Sequence, residues 1–223
     1  MRKEQTRERF KEAARKLCSQ KGFYRVQVSD ITKEAGLSTG SFYLYFSDKD
    51  SILYEILDDY FESYIRNFKK IQVDLTHLSL AKKLGILRRL FRFSLEYNLA
   101  NSGVFLTWYR HGFGVSETID KRIQEFLAEL ETLLVKDIRG FLENRVDDPH
   151  TLAKSIIGMN LYLSHQLIIE ESKTPLAKVV KNATQLIGAG LMSYYVPTRN
   201  MNAVEKFAEK VKSSNRDRTQ DLV

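Results

Sequence analysis

Much that would point to other classes of protein is missing from this chain. Its 223 residues include one cysteine, Cys18, so no disulfide can close within it. Cys18 stands among apolar residues and reads as a small buried hydrophobe rather than a redox sensor. There are 3 prolines and 11 glycines, too few to punctuate many short strands, and no apolar–polar alternation bounded by turns stands out. No run of about 18 uncharged apolar residues occurs, so no membrane span is expected. The basic start, Met1 to Arg9, is not followed by the apolar stretch of a secretion signal, and the cytoplasm is the expected compartment. The histidines, His77, His111, His150 and His165, share no metal spacing with cysteine or carboxylates. A glycine-rich phosphate loop and a nucleophile elbow are both missing. Catalytic residues, cofactor and metal are therefore all expected to be none.

What is present is helical period. Hydrophobic residues make up 43% and charged residues 28%, ordinary values for a globular chain long enough to bury a core. A net charge of +7 favours polyanionic partners. The first helix is predicted from about Lys3 to Gln20, with Phe10, Ala13, Ala14 and Leu17 as its apolar stripe and Gly22 ending it. Ser29 to Ala35 is the next helix; Gly36-Leu37 turns; Ser38 caps a helix from Thr39 to Tyr45. Ile31, Ala35, Leu37, Phe42 and Phe46 should form a small core. Ser47-Asp-Lys-Asp50 resembles a capping box and opens a long helix to about Ile71, with Ile52, Leu53, Ile56, Tyr60, Tyr64 and Phe68 on its stripe.

Further helices are expected near 78–99, 103–110, 116–144, 150–171 and 175–195. Pro149 and Pro175 would take first helical positions behind Asp148 and Thr174, and Pro197 would stop the last helix. The tail from Asn200 holds a weak amphipathic turn (Val204, Phe207, Val211) before a polar, partly disordered end. The fold class is all-α: an N-terminal three-helix helix-turn-helix domain (1–48), a helix from about 48 to 71 linking the domains, a larger helical domain (49–198), and a tail (199–223).

The segment Val28-Ser-Asp-Ile-Thr-Lys-Glu-Ala-Gly-Leu-Ser-Thr-Gly-Ser-Phe-Tyr-Leu-Tyr-Phe-Ser-Asp-Lys49 reads as a helix-turn-helix, whose second helix lies in the major groove. Residues 1–50 carry 11 Lys and Arg against 7 Asp and Glu, a modest electrostatic footprint. Together with the preceding Arg-Phe-Lys-Glu-Ala-Ala stretch and Gly22-Phe23, the segment resembles the N-terminal domain of TetR-family transcriptional regulators, over about a quarter of the chain. The resemblance implies that Ser29, Thr39, Gly40, Ser41, Tyr43 and Leu44 contact bases or adjacent backbone, and that Gln27, Ser38, Tyr45 and Lys49 hold phosphates. Independently, hydroxyls read either base type weakly, and a Thr methyl can pack on a thymine methyl. Phe42 and Phe46 read as core, and Tyr45 reads equally as core or as phosphate contact. No Arg or Lys lies between Thr39 and Phe46, so the recognition helix lacks the bidentate guanine reader. Dimerisation, DNA shape and a basic arm (Arg2, Lys3) would supply the remaining specificity.

The last two long helices are apolar over much of their surface. Ile156, Met159, Leu163 and Leu167 repeat on one; Val179, Ala183, Leu186, Ile187, Gly190 and Tyr194 on the other. Small residues at Ala183, Gly188, Ala189 and Gly190 permit close approach. The resemblance implies a homodimeric four-helix bundle built from the helices near 150–171 and 175–195, matching a palindromic operator; the alternative is internal core. A small-molecule effector of unknown identity is expected, with Tyr97, Phe105, Trp108, Tyr109, His111, Phe113, Tyr162 and His165 as candidate contacts. Each of these also reads as plain core, and His165 as a satisfied interior histidine. Between Arg66 and Arg92 stand 8 Lys and Arg against 1 acid: a solvated face, a site for a phosphate-bearing effector such as an acyl-coenzyme A, or an outer DNA contact. The resemblance implies a repressor released from double-stranded operator DNA when the effector moves the long fourth helix. The rival readings are an activator or effector-independent DNA-binding protein, and a small-molecule-binding protein that has lost DNA binding.

Overall fold

A computed structural model describes residues 2–143, 145–170 and 174–195, and every regular element among them is helical. Three helices, α1 (Arg2–Lys21), α2 (Val28–Ala35) and α3 (Thr39–Phe42), form the N-terminal unit. Then come α4 (Lys49–Ile71), α5 (Leu80–Ala100), α6 (Ser102–His111), α7 (Glu117–Leu142), α8 (Pro149–Ile169) and α9 (Leu176–Met192). Pro197, Val204, Phe207 and Val211 lie outside the described residues.

The helix boundaries follow local chemistry. Gly36 ends α2 in the left-handed conformation (φ 64°, ψ 37°), which other residues adopt at a cost. Its flanking carbonyl on Ala35 accepts from the Arg9 guanidinium at 2.6 Å, a cation at a helix C-terminus. Ser38, Ser116 and Asp148 cap α3, α7 and α8 by accepting from Ser41, Ile119 and Thr151 backbone N–H groups. Pro149 takes the first helical position behind Asp148.

Three expectations shift. The capping box of α4 sits one residue later than predicted: Asp48 is the cap, accepting from Ser51 N–H at 2.7 Å, while the Ser51 hydroxyl takes the Asp48 N–H. Asp48 has two polar partners there that Ser47 would lack. Pro175 is itself the residue before α9, at ψ 134°, rather than its first helical position. α3 is one turn long, and Tyr43 closes it.

The N-terminal core is aromatic. Phe10 meets Phe42 edge-on at 5.4 Å and Phe46 at 6.3 Å, and all three are buried; truncating one such ring costs roughly 3–5 kcal/mol. Ile31 and Ala35 complete it, with Leu37 half-buried at its edge. Ion pairs fasten α1 to α4: Arg7 to Glu55, Lys11 and Arg15 to Asp59.

In the larger unit, α4 packs on α5 and α7, α8 lies against α5 and α7, and α9 against α5. Phe61 of α4 stacks on Phe126 of α7 at 4.2 Å, and Trp108 of α6 meets both edge-on. A buried polar ladder crosses the bundle: Tyr60 donates to Asn98 (2.6 Å), and Asn98 donates to Ser164 (2.8 Å), linking α4, α5 and α8. At the far end of α7, Glu143 has a left-handed φ of 53°. Buried Lys83 donates to the Phe141 carbonyl and pairs with Glu143, each at 3.1 Å. This member of the basic block therefore closes a helix C-terminus instead of facing solvent, effector or DNA. Lys69 and Arg92, from the same block, pair with Glu129 and Glu96.

Candidate DNA interface and effector cavity

The helix-turn-helix presents an uncharged face. Thr39, Gly40, Tyr43 and Leu44 are exposed, Leu44 at 81%, with Ser41 partly covered. Gln27 and Ser29 at the start of α2 and Ser38 before α3 are exposed on the same unit. The Ser38 hydroxyl already caps Ser41, so its oxygen is shared between the helix and any other group. Tyr45 divides its surface: half-buried, its ring lies 6.1 Å from that of Phe10. Lys49 is occupied as well. Its ammonium lies 4.3 Å over the Phe23 ring and donates to the Phe23 carbonyl at 3.2 Å. The expected arm is not an extended segment here, because α1 is already helical from Arg2.

α6 joins this unit to the rest. At its start, a Cβ on Gly103 would lie 2.5 Å from Ser19 Cβ of α1. At its end, the His111 ring lies against Gly22, and Tyr24 donates to the His111 carbonyl at 3.5 Å. Cys18, near the same joint, is buried, and burial pushes its thiol up to about 11. It is an inert packing residue.

Between α4, α5, α7 and α8 lies a cavity enclosing about 50 Å³. Its wall runs along α7 from Phe126 to Phe141, a rise of roughly 22 Å. Tyr64 and Phe68 of α4, Leu87 and Phe91 of α5, Ile156 of α8 and Trp108 of α6 contribute apolar surface. Polar groups are few: the Tyr64 hydroxyl, the Trp108 indole N–H, Ser94, Asn98, Asn160 and Asp137. Tyr64 donates to Ser94 at 2.6 Å. Asp137 accepts from the Gln72 side-chain amide at 2.9 Å, and burial, only partly offset by that bond, pushes its carboxyl up to about 6.

The family model for bacterial regulatory proteins of the tetR family matches residues 12–56, which hold the second half of α1 and all of α2 and α3. The uncharacterised HTH-type transcriptional regulator YdgC of Bacillus subtilis (strain 168) is 27% identical over 195 residues, 84% of this chain and 93% of that protein. The HTH-type transcriptional regulator HbdR of Aromatoleum sp. (strain CIB) is 38% identical over 74 residues, 33% of this chain and 32% of that one. Over its N-terminal segment the chain is similar to the tetR family of bacterial regulatory proteins. It is a DNA-binding transcriptional regulator. Among solved structures, the fatty acid degradation regulator FadR from Bacillus halodurans superposes with a TM-score of 0.65 at 21% identity, covering 82% of this chain and 98% of that one. FadR from Bacillus subtilis, in complex with stearoyl-CoA, gives 0.67 at 18% identity over 82% and 97%. Both share the all-helical fold described above.

Of the candidate effector contacts, the structure brings Trp108 to the cavity wall. Phe105 is fully buried, stacked on Tyr109 at 5.2 Å. Tyr97 donates to the Tyr60 carbonyl at 2.9 Å. His165 accepts from Arg110 at 2.9 Å, and partial burial and that guanidinium hold its pKa below the usual value. His111 serves the joint with the DNA-binding unit, while Phe113 and Tyr162 are exposed. The polar wall residues Ser94, Asn98, Asp137 and Asn160 escaped the sequence reading. Their signal was a polar side chain on an apolar stripe, as with Asp137 between Leu134 and Phe141.

The expected dimer helices are split. Ile156, Ala183 and Ile187 face inward, Gly188 meets Leu84 of α5, and Met159, Leu163, Leu167 and Val179 are half-buried. Tyr162 and Ile169 on α8, Leu186, Ala189 and Gly190 on α9, and Tyr194 just after it remain exposed, Leu186 at 65%.

Proposed function

We propose that this regulator is a cytoplasmic homodimeric repressor that leaves a palindromic operator when an elongated, largely apolar effector enters the cavity. The N-terminal unit of residues 1–48 binds DNA, and the unit from 49 to 198 binds effector and a second copy. The observation that carries the reading is the ownership of the cavity wall. Tyr64 and Phe68 belong to α4, and Trp108 belongs to α6; both helices pack on the DNA-binding unit through Glu55, Asp59 and Gly103. Ligand pockets occupy ~300–1,000 Å³, whereas this cavity encloses about 50 Å³. An occupant has to displace those walls, and with them the helices that hold α1.

Linkage gives the direction of the response: an effector that binds better to the displaced arrangement weakens DNA binding, and DNA weakens effector binding equally. The apolar wall is suited to a chain-like lipid, and the similarity in fold to a FadR holding stearoyl-CoA supports that class of effector. Ser29, Thr39, Gly40, Ser41, Tyr43 and Leu44 face bases, with Gln27, Ser38, Tyr45 and Lys49 at phosphates. The apolar patch formed by Tyr162 of α8, Leu186 of α9 and the following Tyr194 meets its copy across a two-fold axis. In vitro selection of DNA sites, followed by a lipid screen for release of the winning site, tests the whole reading. It predicts enrichment of a palindrome and release by a long-chain compound; a pool that enriches no palindrome overturns it.

A further inference from the structure

The polar groups on the cavity wall differ in how much hydrogen-bonding capacity the protein leaves them. Asn98 accepts from Tyr60 and donates to Ser164, and Asn160 donates to the Phe91 carbonyl at 3.4 Å. Ser94 accepts from Tyr64 and donates to the Leu90 carbonyl at 3.0 Å. Those side chains are engaged by the bundle itself. Asp137 is less fully occupied. Its Oδ2 accepts from Gln72, whose amide nitrogen is shared with the Leu133 carbonyl at 3.2 Å. A carboxylate offers about four acceptor positions, so capacity remains on this group, which lies about three turns along α7 from Phe126, the residue that meets Trp108. Among the described residues that line the cavity there is no Lys, Arg or His.

Two consequences follow for an occupant. An anionic headgroup inside would lose its water with no cation to replace it, and near Asp137 it would meet a like charge. A headgroup with a hydrogen-bond donor would complete Asp137. We propose that the effector is an uncharged long-chain amphiphile whose terminal hydroxyl donates to Asp137, and that the cavity rejects the matching carboxylate. This rests on the cavity being the effector site. A hydroxyl suits the position in either state of the carboxyl, since it donates to the ionised form and accepts from the protonated one. Asp137 thereby sets the class of ligand, while the apolar wall sets its length.

Trp108 is the only tryptophan of the chain and stands on the cavity wall, so its fluorescence reports occupancy without a label. The full-length protein would be titrated at pH 7.5 with dodecan-1-ol and with dodecanoate, following Trp108 emission and release of a selected DNA site. The alcohol is expected to bind at least tenfold more tightly than the carboxylate and to free the DNA. Asp137→Asn, with folding checked by circular dichroism, is expected to reduce that preference at least fivefold. Equal binding of the two probes to the unaltered protein, or tighter binding of the carboxylate, overturns the proposal while leaving the effector site in place. An unchanged preference in folded Asp137→Asn also overturns it. If neither probe alters Trp108 emission or DNA binding, the cavity is not the effector site, and both readings fall.

Discussion

Gly103 and Ser19 are in contact where any larger side chain at the first position would collide: a Cβ there would lie 2.5 Å from Ser19 Cβ. The contact joins the start of α6 to the C-terminal part of α1. It places the helix that carries Trp108 directly on the helix that carries the Phe10 core of the DNA-binding unit. Gly103→Ala is therefore expected to push α6 away from α1 and to change operator affinity at least fivefold, with helix content preserved. Anisotropy with labelled DNA, alongside circular dichroism, measures both. Unchanged affinity would remove this contact from the route between cavity and DNA.

Tyr43 is exposed beside the one-turn helix α3, with its ring edge-on to Phe42 at 5.4 Å. Tyr43→Ala removes surface from the proposed interface and little from the core. Operator affinity should fall about tenfold at moderate salt, with the melting temperature within a few degrees of the original. Lys49→Ala should weaken all DNA sequences alike and lower the salt slope by about one. If the ammonium instead stays on Phe23 when DNA binds, that slope will not move.

Asp137 gives a pH signature. Burial raises its carboxyl from an ordinary 3.8 to about 6, so between those values the folded chain binds more protons than the unfolded one. The stability from this group is full below about pH 4 and is lost as pH rises through 6. Asp137→Asn should match the original near pH 4 and exceed it by roughly 1–3 kcal/mol at pH 7.5, less whatever the Gln72 bond contributes. Urea melts across that range decide it; a difference that does not grow with pH would contradict the burial of this charge.

The left-handed Gly36 makes a narrower claim. Gly36→Ala should destabilise the chain by about 1–2 kcal/mol, because only the backbone conformation opposes the new methyl: its nearest neighbour would be the Arg9 guanidinium at 3.5 Å. Gly36→Asn should cost less, since asparagine tolerates that region. Equal losses in thermal melts would place the strain elsewhere.

These residues also show what the sequence could reveal. The helix ends were legible because caps act over three or four residues: Ser38, Asp148 and Gly36 each announce a boundary by themselves. The start of α4 was read one residue early because Ser47 and Asp48 both have capping chemistry, and only the three-dimensional partner, Ser51, separates them. The small aromatic core followed from spacing on single helices. The cavity did not, because its wall is assembled from several helices whose mutual rotation no local pattern encodes. Aromatic rings are dense between Tyr97 and Phe113, yet most of them fill core or surface. The more informative residue was Asp137, a single carboxyl on an otherwise apolar face.

The uncovered apolar face of α8 and α9, with Leu186 65% exposed, bears on how the regulator responds to its own abundance. If the proposed homodimer forms through this face and binds a two-fold symmetric site as one unit, DNA occupancy rises with the square of the free monomer concentration when monomer predominates. Halving the amount of protein would then quarter its hold on the operator. Modest changes in synthesis or turnover would shift transcription more sharply than a single-chain binder could, before any effector arrives.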